Sequence, residues 1–146
     1  MLTQPEAYYD ADTFARMKAA ADQHDTPVLI VDTKTFSEQL DHLMGCFPYA
    51  KTYYAVKANP EPEVLTILRD RGCNFDVASR YELDKVMALG VTGDRFSFGN
   101  TIKKLKDISY FYEKGVRLFA TDSEADLRNI AAVSYTHLRA HETDSY

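Results

Sequence analysis

The sequence predicts an α/β fold with parallel strands, and three observations predict it. A short apolar run followed by a stretch of helical spacing recurs four times between Thr52 and Ala132. The links between these runs are short, and parallel neighbours joined through helices are the arrangement that accommodates them. The runs themselves are mostly apolar, as strands buried on both faces require. An open doubly wound sheet and a closed barrel both satisfy this pattern. No G-x-G-x-x-G follows the first strand, and polar residues recur instead at strand ends: Lys57, Asp76, Asn100 and Asp122. Strand ends are where a barrel keeps its chemistry.

The elements follow in order. From Asp12 to about His24, Phe14, Met17, Ala20 and Ala21 have helical spacing, with Asp12 as N-cap. Pro27–Val31 is a short apolar run expected as a buried strand. Thr33 is expected to cap a second helix, with Phe36, Leu40, Leu43 and Met44 on its apolar face and Gly45 ending it. The first of the four units is Thr52–Ala58, then Asn59 as cap, Pro60 at the first helical position, and Val64, Leu65, Ile67 and Leu68 as the buried face. The second is Asn74–Ala78, then a capping box at Ser79-Arg80-Tyr81-Glu82 and a helix stopping at Gly90. The third is Arg95–Gly99, then a helix with Leu105, Ile108, Phe111 and Tyr112 that ends at Gly115. The fourth is Arg117–Ala120, a second capping box at Thr121-Asp122-Ser123-Glu124, and a helix through Leu127 and Ile130.

Composition narrows the function. The 146 residues are 45% hydrophobic and 12% aromatic, enough for a core and unlike a disordered chain. A net charge of -5 gives no nucleic-acid surface, and no stretch is apolar for long enough to span a bilayer. The first twenty residues carry Glu6, Asp10 and Asp12 with no apolar run after them, so a secretory leader is not expected from them. The expectation is a cytoplasmic protein acting on small molecules. Cys46 and Cys73 form no CxxC pair and are read as reduced thiols, with neither a disulfide nor a zinc site.

The most informative run is Tyr53-Tyr54-Ala55-Val56-Lys57-Ala58-Asn59-Pro60. Read as a strand, it turns Tyr53, Ala55 and Lys57 to one face. A lysine beside a methyl-sized neighbour has room to carry a flat cofactor as an imine. The chemistry needs an amine that can lose its proton, which lysine can do and arginine cannot. On the second strand, Asp76 and Ala78 share one face, while Phe75 and Val77 share the other.

With Lys57 in Y-A-V-K-A-N-P, Asp76 in F-D-V-A-S, Asn100 in F-G-N-T-I-K and Asp122 in F-A-T-D-S-E, the chain resembles the pyridoxal-phosphate decarboxylases of the alanine-racemase-like barrel. It is most similar to the ornithine decarboxylase group, with diaminopimelate and arginine decarboxylases as cousins. The resemblance runs from about Pro27 to Ala132. It implies the N-terminal portion of a pyridoxal-phosphate-binding (β/α)8 TIM-like barrel over residues 27–132. A helical extension precedes it over 1–26, and an atypical tail follows over 133–146. By the same resemblance Lys57 is the imine-forming lysine, Asp76 lies near the cofactor, and Ala55 leaves space under its ring. Asn100, Asp122 and Ser79 are read as capping or turn residues.

The reaction so implied is α-decarboxylation of a basic amino acid, ornithine to putrescine in polyamine biosynthesis, by a homodimer in the full-length protein. Diaminopimelate or arginine as substrate, a non-catalytic relative acting as a binding module, an alanine-racemase-type enzyme and an unrelated open-sheet nucleotide binder are the competing readings. The family's ring-stacking histidine, glycine-rich phosphate loop and substrate loop have no counterpart here, so this chain alone is expected to be inactive and unstable or self-associating. The tail from Val133 to Tyr146 departs from the family pattern and reads as foreign sequence or an unusual terminus. Its His137 and His141 have i, i+4 spacing but no third ligand, so no metal site is expected.

Overall fold

Four parallel strands pair in the order in which they occur along the chain. They are β1 (Tyr53–Ala55), β2 (Asn74–Val77), β3 (Phe96–Phe98) and β4 (Leu118–Phe119). A doubly wound sheet reverses its strand order at a switch point. This sheet does not reverse, so the succession is that of a barrel wall. The structure, a computed structural model, describes residues 8–143. These divide into two compact units, one reaching Gln39 and the other starting at Leu40.

In the first unit, α1 spans Ala11–Ala21 and is capped by Asp10, whose carboxylate accepts from Thr13 N at 2.8 Å. The expected cap, Asp12, is instead inside the first turn. The segment from Pro27 to Val31 forms no strand: Leu29 is 84% exposed and no described strand pairs with it. An isolated apolar run has nowhere to place its backbone hydrogen bonds as a strand. Helix α2 (Thr33–Cys46), which starts in this unit and ends in the next, begins with Asp32 as cap, its Oδ1 accepting from Lys34 N and Thr35 N at 2.9 and 3.1 Å. Thr33 is therefore the first helical residue, and Gly45 lies within the helix instead of ending it.

Hydrogen bonds from the Thr13 N–H and hydroxyl hold the Asp10 carboxyl below 3.8, and the Thr35 N–H does the same for Asp32. A carboxyl depressed by folding adds stability above its ordinary value and loses it as pH falls through the lowered folded value. The Thr13 and Thr35 amide resonances are accordingly expected to hold steady at pH 5 and to move only in stronger acid. Movement centred above pH 4 would contradict the capping geometry.

In the second unit, α3 (Pro62–Asp70), α4 (Arg80–Met87) and α5 (Leu105–Glu113) each follow a strand, and α6 (Glu124–Thr143) follows β4. The alternation expected for β2 holds: Phe75 and Val77 are fully buried, whereas Asn74 and Asp76 are partly open. Phe96 and Phe98 continue the buried side on β3. Against them lie Leu65 and Leu68 of α3, Leu83 and Val86 of α4, and Ile108 and Phe111 of α5, all with no exposed surface. Phe98 and Phe111 stack at 3.8 Å between ring centroids, tying β3 to α5. Burial of these rings and aliphatic side chains removes apolar area from water and forms the unit's core.

Local signals explain the helix ends. Gly90 and Gly115 follow α4 and α5 with φ of +87° and +90°, the left-handed stop that favours glycine. Gly115 also packs on Gly93, where a Cβ would overlap the backbone of Lys114 and Gly115. Ser79 caps α4, accepting from Glu82 N at 3.3 Å, and the Glu82 carboxylate accepts from Ala78 N at 2.6 Å. The capping box thus closes one residue earlier than the reciprocal form.

Two other caps move. α3 is capped at Glu61 with Pro62 at its first position, while Asn59 forms a turn by accepting from Glu61 N at 3.1 Å. Pro60 therefore lies before the helix. Ser123, not Thr121, caps α6 by accepting from Asp126 N at 3.3 Å. α6 continues from Glu124 through residue 132 to Thr143.

Candidate functional site

The helices cover one face of the sheet, and the other face carries Ala55, Asp76 and Ser97 among its side chains. Register fixes who sits beside whom on it. Ala55 pairs with Asp76, Asp76 with Ser97, and Ser97 with Leu118, which makes one row across all four strands. Partners in a parallel ladder present their side chains to the same face. Ala55 and Asp76, both singled out from the sequence, are thus brought together.

Lys57 is reached differently from the expectation. β1 ends at Ala55, and Val56–Ala58 form one turn of 3₁₀ helix. Such a turn rotates successive residues by about 120°, so Lys57 does not share the strand alternation with Tyr53 and Ala55. Val56 is buried in the turn, and Lys57 and Ala58 are exposed at the C-terminal end of the sheet. The turn is held from behind: the Tyr54 hydroxyl, whose pKa burial pushes up, donates to Asn59 O at 3.4 Å. Lys57 makes no hydrogen bond or ion pair among the described residues. In particular it makes none with Asp76.

The Asp76 carboxylate turns instead to β3. Its Oδ1 accepts a short hydrogen bond from the Ser97 hydroxyl. Two residues further along that strand, a Cβ at Gly99 would overlap the carboxylate, so the group rests where a side chain is missing. Asn100 has the structural role expected, its amide donating to Ala78 O at 3.4 Å and its oxygen accepting from Ile102 N at 3.0 Å. Asp122 is exposed.

A second lysine sits at the same ends of the strands, and the sequence reading gave it no role. The Lys103 side chain is fully buried and the Asp126 side chain 7% exposed, with Nζ and Oδ2 2.5 Å apart. The same ammonium donates to Asn100 O at 2.9 Å and to Ala120 O at 2.6 Å. Two of its N–H groups thus have carbonyl acceptors, and Asp126 Oδ2 balances the charge as an ion pair without a hydrogen bond of its own among the described residues. It also lies 5.8 Å from the Phe98 ring centroid. Lys103 binds the loop after β3 to the end of β4 and the start of α6. One signal in the sequence pointed to its partner: Asp126 stands seven residues before Val133, on the same stripe of α6, and both are buried.

Cys46 and Cys73 are free thiols, as expected. Among the described residues no group of histidine, cysteine and carboxylate side chains could hold a metal ion. The side chains of His137 and His141 lie outside the described residues. No helix among them is long and apolar enough to cross a membrane.

Comparison with known proteins gives one family. Residues 33–141 match the family model described as pyridoxal-dependent decarboxylase, pyridoxal binding domain. Ornithine decarboxylase of Nicotiana glauca is 39% identical over 104 residues, which cover 71% of this chain and 24% of that protein. The crystal structure of a lysine/ornithine decarboxylase from Vibrio vulnificus, complexed with cadaverine, superposes with a TM-score of 0.77. The match is 28% identical and covers 84% of this chain and 34% of that one. The arginine decarboxylase of Paramecium bursaria Chlorella virus, bound to agmatine, is 33% identical with a TM-score of 0.64, covering 68% of this chain and 28% of that one. The chain spans about a quarter of the length of the curated relatives it matches.

Proposed function

The chain belongs to the pyridoxal-dependent decarboxylase family, and from that premise we propose that it forms the first part of a barrel that binds pyridoxal phosphate and decarboxylates a basic amino acid. The observation that carries this reading is the contrast between the two lysines at the strand ends. Covalent attachment of an aldehyde cofactor needs a primary amine with a free approach. The Lys103 ammonium donates to two carbonyl oxygens, is paired with Asp126, and belongs to a side chain with no exposed surface. Lys57 is exposed and engaged with nothing among the described residues, so the residues present fit the group.

Bound through that amine, pyridoxal phosphate supplies a sink for the electron pair left when a carboxylate departs as CO2. The chain's own residues do the holding. Lys57 presents the amine from a turn braced by Tyr54 and Asn59. Ala55, with only a methyl group, leaves room on the row it shares with Asp76. Asp76 brings a negative charge to that face, which favours the positively charged form of a nearby nitrogen.

Ornithine is the substrate we propose, supported by the greater identity to an ornithine decarboxylase, 39%, than to the arginine enzyme, 33%. Putrescine would be the product, in polyamine biosynthesis. The acidic composition fits a cytoplasmic enzyme, and the family resemblance suggests a homodimer of the longer protein. This chain alone is expected to be inactive. The test is release of labelled CO2. A protein joining this chain to a complete barrel and second domain should act faster on ornithine than on lysine or arginine, and the 146-residue chain should release none. A preference for arginine or lysine would replace the substrate. No release from any of the three would remove the decarboxylase reading.

A further inference from the structure

We propose that Ser97 is a positioning residue for the cofactor site, acting through Asp76, and that Gly99 provides the space its action needs. The inference rests on the reading of Lys57 as the attachment point. Asp76 is the carboxylate of the row Ala55–Asp76–Ser97, and among the described residues its hydrogen-bond partner is the Ser97 hydroxyl. That hydroxyl comes from the neighbouring strand at the paired register position, so backbone pairing sets its place.

Gly99 lies two residues after Ser97, just past the C-terminal end of β3, and a Cβ there would collide with both oxygens and the Cγ of Asp76. The carboxylate therefore leans along β3 toward the end of the sheet where Lys57 emerges. Hydrogen bond and gap act in the same direction. A carboxylate accepts about four hydrogen bonds, so one bond from Ser97 leaves capacity facing the site. A strand and strand end built only for packing have no need of a hydroxyl and, two residues on, a missing side chain beside this carboxylate. The pair is explained if the carboxylate must be held in one orientation.

The experiment uses a longer protein that joins this chain to a complete barrel and second domain, with pyridoxal phosphate. The adduct on Lys57 is trapped with borohydride and quantified by peptide mass spectrometry against cofactor concentration. Ser97→Ala and Asp76→Asn should each raise the half-saturating concentration by about ten- to a hundredfold, the size expected for one hydrogen bond to a charged group. The double variant should be no worse than Asp76→Asn alone, because Ser97 has nothing left to orient. Ser97→Thr keeps the hydroxyl and should restore wild-type labelling. Gly99→Ala should resemble Asp76→Asn while retaining the carboxylate. Thermal melts of every variant check the fold. Equal and additive losses, or wild-type labelling in Ser97→Ala, would overturn the role of Ser97 and leave Lys57 standing. Failure of the wild-type chain to label at Lys57 would overturn the site reading itself, and the inference with it.

Discussion

Replacing Lys57 with alanine is expected to abolish binding of pyridoxal phosphate as a coloured, borohydride-reducible adduct. The loss should be complete, because the variant removes the bonding atom and not a contact. Lys57→Arg should fail equally, since a guanidinium stays protonated and does not add to an aldehyde. Neither change should disturb the fold. The side chain is exposed and makes no hydrogen bond or ion pair among the described residues, and such surface substitutions stay within about 0.5 kcal/mol. Absorbance titration and a thermal melt on the same samples check both halves. A variant that keeps the colour at wild-type cofactor concentrations would exclude Lys57 as the attachment point.

The second lysine predicts the opposite behaviour. Lys103→Met should cost about 3–5 kcal/mol, because it strands the Asp126 carboxylate in a buried site without its cation. Asn100 O and Ala120 O also lose their shared donor. For a domain of this size the melting temperature should fall by roughly 10 °C. The pair itself is not expected to outperform an apolar replacement: a double variant, Lys103→Met with Asp126→Leu, should recover most of the loss. Urea denaturation of the two single variants and the double variant measures this. A single variant as stable as wild type would show that the ion pair is not buried as described. Two lysines at one end of one sheet thus divide the work: one is open to chemistry and the other holds the strand ends together.

Much of the architecture was legible because it is local. The strand–helix units announce themselves by an apolar run, a cap and a terminal glycine, all within about twenty residues of chain. Gly90 and Gly115 end α4 and α5 as their sequence context indicates. The capping box at Ser79 was legible for the same reason.

The misread caps were local too, but ambiguous. Asp10 and Asp12, Asp32 and Thr33, and Asn59 and Glu61 are alternatives within two positions of each other, and only the backbone turn decides between them. The 3₁₀ turn at Val56–Ala58 could not be read from period, because three residues give no periodicity. Pro27–Val31 has the composition of a strand and lacks a partner among the described residues. Strand formation depends on what lies alongside, which no window of sequence contains.

The site was legible where it rests on a residue's own chemistry and hidden where it rests on register. Lys57 and Asp76 stand out as polar residues ending apolar strands. Ser97 stands 21 residues beyond Asp76, and it becomes a partner only when β2 and β3 pair in one register. Lys103 and Asp126 are 23 positions apart, on a loop and a helix, and neither side chain type is expected inside a protein. Gly99 read as a strand-end glycine. Its meaning lies in the carboxylate that occupies the space beside it.

The most direct test of the account is a map of which lysines pyridoxal phosphate modifies. A longer protein that joins this chain to a complete barrel and second domain is incubated with substoichiometric cofactor, reduced with borohydride, digested and read by mass spectrometry, peptide by peptide. The account predicts that the label concentrates on Lys57, with Lys103 unlabelled in the folded chain and labelled only after denaturation. Label spread evenly over exposed lysines such as Lys51, Lys104 and Lys106, or absent from Lys57, would contradict it.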